Sequence, residues 1–338
     1  MRAVLCRSWM TYQNLPLEDV PTPVLRAGQV RIGTHYAGVS FATSLVTTGR
    51  YQRKPPFPFS PGTEVAGEIL EVAPDVSRFK PGQRVCAVVD WGGHAEEVTI
   101  DAATVYPIPD SLPFDVAPQF PTSYATSFAA LDWLAKLQPG ETLLVHGAAG
   151  AVGLAAVELG KAMGARVIAT ASTAEKLAVA REHGADETVA FPSPDALERI
   201  RAVATGADVV FDPVGGDAFD LSLRAVRENG RILVIGFANG RIQQIPANIL
   251  LVKNITVLGL NYGKYTGWSL TDERKIHEPR VRAQFDRMFA WYELGKLKPT
   301  TSHRFALADY AAAMDAVLAR QAIGKIVLRM PRAERTKA

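Results

Sequence analysis

An α/β protein of two domains is the fold that the sequence predicts. One is a compact, irregular β-rich domain supplied by both ends of the chain; the other, between them, is a doubly wound parallel sheet. Three observations carry this. Residues 1–121 are punctuated by Pro and Gly and hold short strand-like runs; residues 122–261 alternate apolar runs with helical patterns; residues 262–338 return to a mixed pattern that closes on a strand. Strands alternating with helices imply right-handed crossovers, hence a parallel sheet covered on both faces. A length of 338 residues is too large for one ordinary domain and suits two.

In the first part, "QVRIGTHYAGV" and "RVCAVVD" read as strands, and turn signals recur at "RAGQ", "SPGT", "KPGQ" and "WGGH". In the middle, "ETLLVHGA" reads as a strand, "GAVGLAAVELGKAMGA" as a helix, "RVIATAS" as a strand and "TAEKLAVAREHGA" as a helix. "ADVVFDPVGG", "GRILVIGFANG" and "NITVLGLNYG" supply three more strands. Beyond residue 261, "VRAQFDRMFAWYELGKL" and "LADYAAAMDAVLARQ" have amphipathic helical patterns, and "GKIVLRM" reads as a final strand. The middle domain is thus an insertion into the first.

Composition narrows the function classes. Apolar residues make up 48% and charged ones 21%, with a net charge of +3 and no basic cluster in sequence. That speaks against nucleic acid or an anionic membrane as partner. No apolar run approaches the ~20 residues of a membrane span. The start, "MRAVLCRSWM", lacks the apolar core of a secretory signal, so a cytoplasmic protein is expected. Cys6 and Cys86 are too few for a disulfide framework or a thiolate zinc site.

"LLVHGAAGAVGLAAVELG" places Gly147, Gly150 and Gly153 between an apolar strand and a helix, with Ala149 and Val152 between them. Glycine lets the backbone turn sharply and approach a pyrophosphate, whose charge the helix start favours. The alternative is a plain glycine turn; the strand–turn–helix context and the strand that follows favour a dinucleotide. An NAD site places Asp or Glu about 20 residues on. Here the second strand ends in "ATASTAEK", with no acid at its tip and with Ser172 and Lys176 where a 2′-phosphate would lie. NADPH is therefore the cofactor expected. Ser172 also reads as a helix cap, since "STAE" fits a capping box with Glu175.

Nearly the whole chain resembles the medium-chain dehydrogenases/reductases, and within them the zinc-free NADPH:quinone oxidoreductases. The segments that carry this are "AGVSFATSLVTTGRY", "FPFSPGTEVAGEILEVAPDVSRFKPGQRV", "YATSFAAL", "HGAAGAVGLAAVELGKAMGARVIATASTAEK", "VVFDPVGG" and "RQAIGKIVL". The resemblance implies a GroES-like catalytic domain, a Rossmann domain, an active site between them, and a homodimer. In zinc-dependent members the segment matching "SPGTEVAGE" carries a histidine ligand where Thr63 stands, and the segment matching "AGVSFATSL" carries a cysteine ligand where Ser40 stands. Hydroxyls are poor zinc ligands beside thiolate and imidazole, so no metal is expected.

By the same resemblance, Tyr51 is a candidate donor to a developing oxyanion, or else an aromatic packed under "KPPFPF". Thr126 is expected near the nicotinamide ribose or carboxamide, or else is a helix-start residue. Val214 and Phe237 match positions lining the nicotinamide side, and Arg320 could help Lys176 hold the 2′-phosphate. Glu64 reads as a structural carboxylate rather than a base. Ser40, Thr43 and Leu45 replace an Asn, an Asp and a Tyr common in the branch, and Phe191 replaces a phosphate-binding Tyr. His146 is expected to be packed, His183 to suit a helix C-terminus, and His35, His94, His277 and His303 receive no chemistry.

Without a Lewis acid, an alcohol or simple ketone is poorly activated, whereas a quinone accepts hydride readily. The expected activity is zinc-independent, NADPH-dependent reduction of a quinone or related electron-poor carbonyl, a small-molecule electrophile. One alternative is reduction of the C=C bond of an enone or enoyl thioester. Another, of a different class, is a non-catalytic NADPH-binding protein of structural or regulatory role.

Overall fold

The computed structural model describes residues 1–335. It divides into two compact units: Met1–Thr122 with Gly263–Phe289 and the chain from Pro299 on, and Ser123–Tyr262 with Ala290–Lys298.

The first unit is built on a 7-stranded sheet. Its longest strand, Gln29–Val39, pairs along one edge with Glu64–Val72. The other edge is shared: Gln29 to Gly33 face Glu97–Asp101, and Tyr36 to Val39 face Lys325–Arg329, all antiparallel. Register shifts at Arg31/Ile32 and Thr34/Tyr36 mark bulges, which bend the strand and let one edge serve two partners. Thr301–Ala306 flanks Lys325–Arg329, while Arg84–Val88 and Val105–Pro107 extend the far side. Val30, Ile32, Val65, Ile69, Val85, Val98, Ile326 and Leu328 form its core with Met314 of the helix Tyr310–Leu318. The sequence marks both "QVRIGTHYAGV" and "GKIVLRM" as strands, but only the fold shows them as neighbours.

The second unit holds a 6-stranded, wholly parallel sheet. Its spatial order is Glu187–Ala190, Arg166–Ala171, Thr142–Val145, Ala207–Asp212, Val226–Val234, Thr256–Gly259. The chain starts in the middle, steps twice to one side, then crosses back and fills the other, which is the Rossmann order 3-2-1-4-5-6. Successive strand residues point to opposite faces. Val209, Val210 and Phe211 are each 0% exposed, so both faces are covered. The five strands predicted for this stretch all form; Glu187–Ala190 is the one that was not anticipated.

Candidate functional site

Where the strand order reverses, the carboxyl ends of Thr142–Val145 and Ala207–Asp212 diverge, and open sheets of this kind bind ligands at such a point. The glycine loop occupies it. Gly147 has φ +57°, and Gly150 is the N-cap of the helix Ala151–Ala162 with no side-chain acceptor on its first-turn amides. A Cβ on Gly153 would lie 2.3 Å from the Gly147 carbonyl oxygen, so only glycine permits this approach of helix to loop. Uncapped amides at a helix start of this length suit an anion. The residues present therefore fit a dinucleotide pyrophosphate. Ala149 is buried, whereas Gly150 is open and Val152 half-buried.

Asp212 organises the facing loop, and nothing in the sequence alone distinguished it. Its buried Oδ1 accepts from the amides of Val214 (2.8 Å) and Gly215 (2.9 Å). The Val214 carbonyl in turn accepts from Asn239 N (2.9 Å), and the Pro213 carbonyl from Ala238 N (3.2 Å). Val214 also sits against Gly147, where an added Cβ would meet its Cγ2 at 3.1 Å. Gly147, Val214 and the loop of Phe237 are thus braced together at one end of the sheet, with Phe237 43% exposed.

The cap assignment needs correction. Thr173, not Ser172, caps the helix Ala174–Glu182, its hydroxyl accepting from Lys176 N at 3.2 Å. The strand ends at Ala171 and Ser172 is exposed just beyond it, so its hydroxyl is not used as the cap. Lys176 stands in the first turn of the helix, half-buried. Thr126 lies in the short helix Ala125–Phe128, whose Ser127 hydroxyl donates to the Val152 carbonyl at 2.8 Å. That bond ties this helix to the start of the glycine-loop helix.

His146 is fully buried between Thr170 Oγ1 (2.8 Å) and Ser222 Oγ (3.0 Å). The one hydroxyl proton of Ser222 goes to the Ala218 carbonyl, so His146 donates from Nε2 and accepts at Nδ1 as a neutral ring. Burial holds its pKa below the usual value. His183 does more than face a helix end. Its Nδ1 meets the buried carboxylate of Glu158, which also accepts from Tyr124 OH (2.7 Å) and Lys298 N (2.8 Å).

In the first unit, Glu64 is 0% exposed and contacts the Lys325 ammonium and the Thr122 hydroxyl. Burial raises its pKa, and Lys325 pulls the other way. A Cβ on Gly38 would lie 2.2 Å from Glu64 Oε1, so the carboxylate fills the space that glycine leaves. The Gly38 carbonyl accepts from His94 Nε2 (3.1 Å), whose Nδ1 accepts from Tyr12 OH (3.0 Å). His94 has a structural place that the sequence did not disclose.

Burial lowers the His94 pKa from 6.5 to about 4. Between those values the unfolded chain binds a proton that the folded chain does not, so stability is full above pH 6.5 and falls toward pH 4. The whole shift corresponds to about 3 kcal/mol. Burial lowers His35 and His146 in the same sense, while Glu64 acts oppositely, so a difference measurement is needed. Urea unfolding at pH 7 and pH 4.5 should show a smaller acid-induced loss in His94→Gln than in the wild type; equal losses would reject the assignment.

Tyr51 packs edge-to-face on Trp268 at 5.0 Å, and burial raises its pKa, so it stays a protonated donor. Ser40 Oγ and Thr43 Oγ1 are 3.3 Å apart. Arg320 is exposed at φ +57°, just past the helix Tyr310–Leu318, and belongs to the first unit, unlike Lys176.

Residues 26–110 match the family described as "Alcohol dehydrogenase GroES-like domain", and residues 151–274 match "Zinc-binding dehydrogenase". A quinone oxidoreductase-like protein 2 homolog from Nematostella vectensis is 39% identical, over 97% of this chain and 88% of its own. The chain belongs to the medium-chain dehydrogenase/reductase superfamily. Its relatives make this dehydrogenase/reductase an oxidoreductase of the quinone oxidoreductase-like kind, with a GroES-like and a Rossmann domain. The quinone oxidoreductase of Thermus thermophilus, solved alone and with NADPH, is 34% identical with a TM-score of 0.81, covering 97% of this chain and 100% of that one. A mycobacterial protein complexed with NADPH is 26% identical with a TM-score of 0.88, covering 97% and 100%.

One family description speaks of zinc, but the donors of this medium-chain dehydrogenase/reductase are of another kind. Ser40 and Thr63 offer hydroxyls, and among the described residues no group of three or more His, Cys, Asp or Glu gathers to hold a metal. No helix among the described residues is long and apolar enough to cross a membrane.

Proposed function

We propose that this protein is an NADPH-dependent, zinc-independent oxidoreductase acting on a quinone or related electron-poor carbonyl. The observation that carries the reading is the presence of hydroxyls at both Ser40 and Thr63, in a fold whose relatives include quinone oxidoreductases and NADPH complexes. Such a site selects an acceptor that needs no Lewis acid, because its charge delocalises as the hydride arrives. The bound cofactor would supply the hydride. The amides of the glycine loop would hold its pyrophosphate, Val214 and Phe237 would flank the nicotinamide, and Ser172 and Lys176 would take the 2′-phosphate. Tyr51 would donate to the developing oxyanion, Thr126 would orient the nicotinamide end, and Arg320 would add charge near the phosphate.

A second reading keeps the cofactor and reduces the C=C bond of an enone or enoyl thioester. It is favoured by the Ser40–Thr43 hydroxyl pair, which gives this part of the first unit a less acidic character than an Asn–Asp pair would. NADPH oxidation with a small quinone, an enone and an enoyl-CoA separates the two. We expect turnover highest with the quinone; a clear preference for the enone or thioester selects the second reading. Tight NADPH binding without turnover of any of the three rejects both and leaves a non-catalytic NADPH-binding role. A homodimer is the assembly we propose. The strand Thr256–Gly259 is the end strand of the sheet, and the helix Ala247–Lys253 that precedes it exposes Leu251 (78%) and Val252 (73%), a surface that a second copy would cover. A monomeric mass by light scattering would remove that reading.

A further inference from the structure

The amino edge of the parallel sheet, at the far end of its strands from the glycine loop, carries a basic groove. Two adjoining hollows of about 560 and 530 Å³ share Arg201, Thr205, Gly206 and Arg227. Arg224, Lys253 and Arg166 complete the basic lining, against only Asp208 and Glu228 on the acidic side. Each basic residue lies in a different helix or strand. Arg201, Arg224 and Lys253 lie in the last turns of Ala196–Val203, Asp217–Ala225 and Ala247–Lys253. Arg166 and Arg227 lie at the starts of two strands.

Part of this charge has internal partners. Arg227 pairs with Asp208, and Arg166 with Glu187 at 3.5 Å. Arg201 and Arg224 have no acidic partner among the described residues. Basic groups near helix C-termini compensate the negative end of the helix dipole, but that role is already filled at the end of Asp217–Ala225. There the Lys253 ammonium donates to the carbonyls of Leu223 (2.9 Å) and Val226. Arg224 is surplus to it. Burial first, and then the charge of Arg201, hold the Lys253 pKa below the usual lysine value. Cations are thus held together here at a cost that a bound anion would relieve.

We propose that this groove binds a small, multiply charged phosphate compound, at a site separate from the nucleotide edge. Guanidinium forks match phosphate oxygens in pairs, and the hollow is larger than one phosphate ion requires. Thr205 and Asn229 add neutral polar groups to the lining.

Calorimetric titration of the full-length protein with inorganic tripolyphosphate tests this, with and without saturating NADPH and in Lys176→Ala. We expect tripolyphosphate to bind in all three settings, and Arg201→Gln/Arg224→Gln to weaken it at least tenfold without changing NADPH affinity. Both arginines are exposed, so the variant should keep its fold, which circular dichroism checks. Binding that NADPH or Lys176→Ala abolishes would place the anion at the nucleotide edge and overturn the proposal. So would unchanged affinity in the double variant, absence of binding, or tighter binding of an acidic peptide than of tripolyphosphate. Because the Lys176→Ala arm needs no NADPH, failure of the cofactor reading alone leaves this test intact.

Discussion

Lys325→Met should lower the unfolding free energy by about 3–5 kcal/mol, the loss typical when one member of a buried ion pair is removed. Lys325 is 4% exposed and Glu64 0%, so water cannot replace the lost ammonium. The carboxylate cannot swing away, because Gly38 closes over it. It would be left with the Thr122 hydroxyl alone and would take up a proton instead, its pKa already raised by burial. Glu64→Gln added to Lys325→Met should restore much of the loss, since a neutral amide needs no counter-charge. Urea unfolding of the single and double variants measures both effects. A loss below about 1 kcal/mol in Lys325→Met would show that the pair is not desolvated as the structure has it. Turnover per folded molecule should survive in the double variant, because Glu64 is held as a structural carboxylate; its disappearance would make Glu64 a base.

The second large effect concerns the cofactor. Lys176→Ala should weaken NADPH binding about 10- to 100-fold and NADH binding little, as the loss of a charge-assisted phosphate contact of about 1.5–3 kcal/mol requires. The setting is a helix start capped by Thr173, at a strand tip that offers Ser172 and no carboxylate. Fluorescence titration of both cofactors reads the ratio directly. Equal weakening of the two would move the 2′-phosphate away from this turn.

The cap shows how fine the limit of sequence reading is. Ser172 and Thr173 can both accept from a helix amide, and a capping box fits "STAE" by composition. Which one caps depends on where the strand stops, and pairing with Glu187–Ala190 carries it to Ala171. Asp212 was missed for a related reason. A lone acid at the end of an apolar run gives no periodic signal, and its role is set by a turn that folds two amides onto Oδ1. Likewise, only the fold brings Glu158 to Tyr124, His183 and the segment Ala290–Lys298, which counts with the second unit although the chain on both sides of it counts with the first.

The sequence by itself determined the alternation of strands and helices, the glycine loop with its steric demand, and the hydroxyls at Ser40 and Thr63. These depend on residue type and short-range order, where periodicity and backbone freedom act directly. Only the tertiary structure decided that Lys325 answers Glu64, that His94 is held neutral beneath Gly38, and that five basic side chains share one edge of a sheet. Those pairings join residues far apart in the chain, and they follow from strand register and burial, which no local pattern encodes.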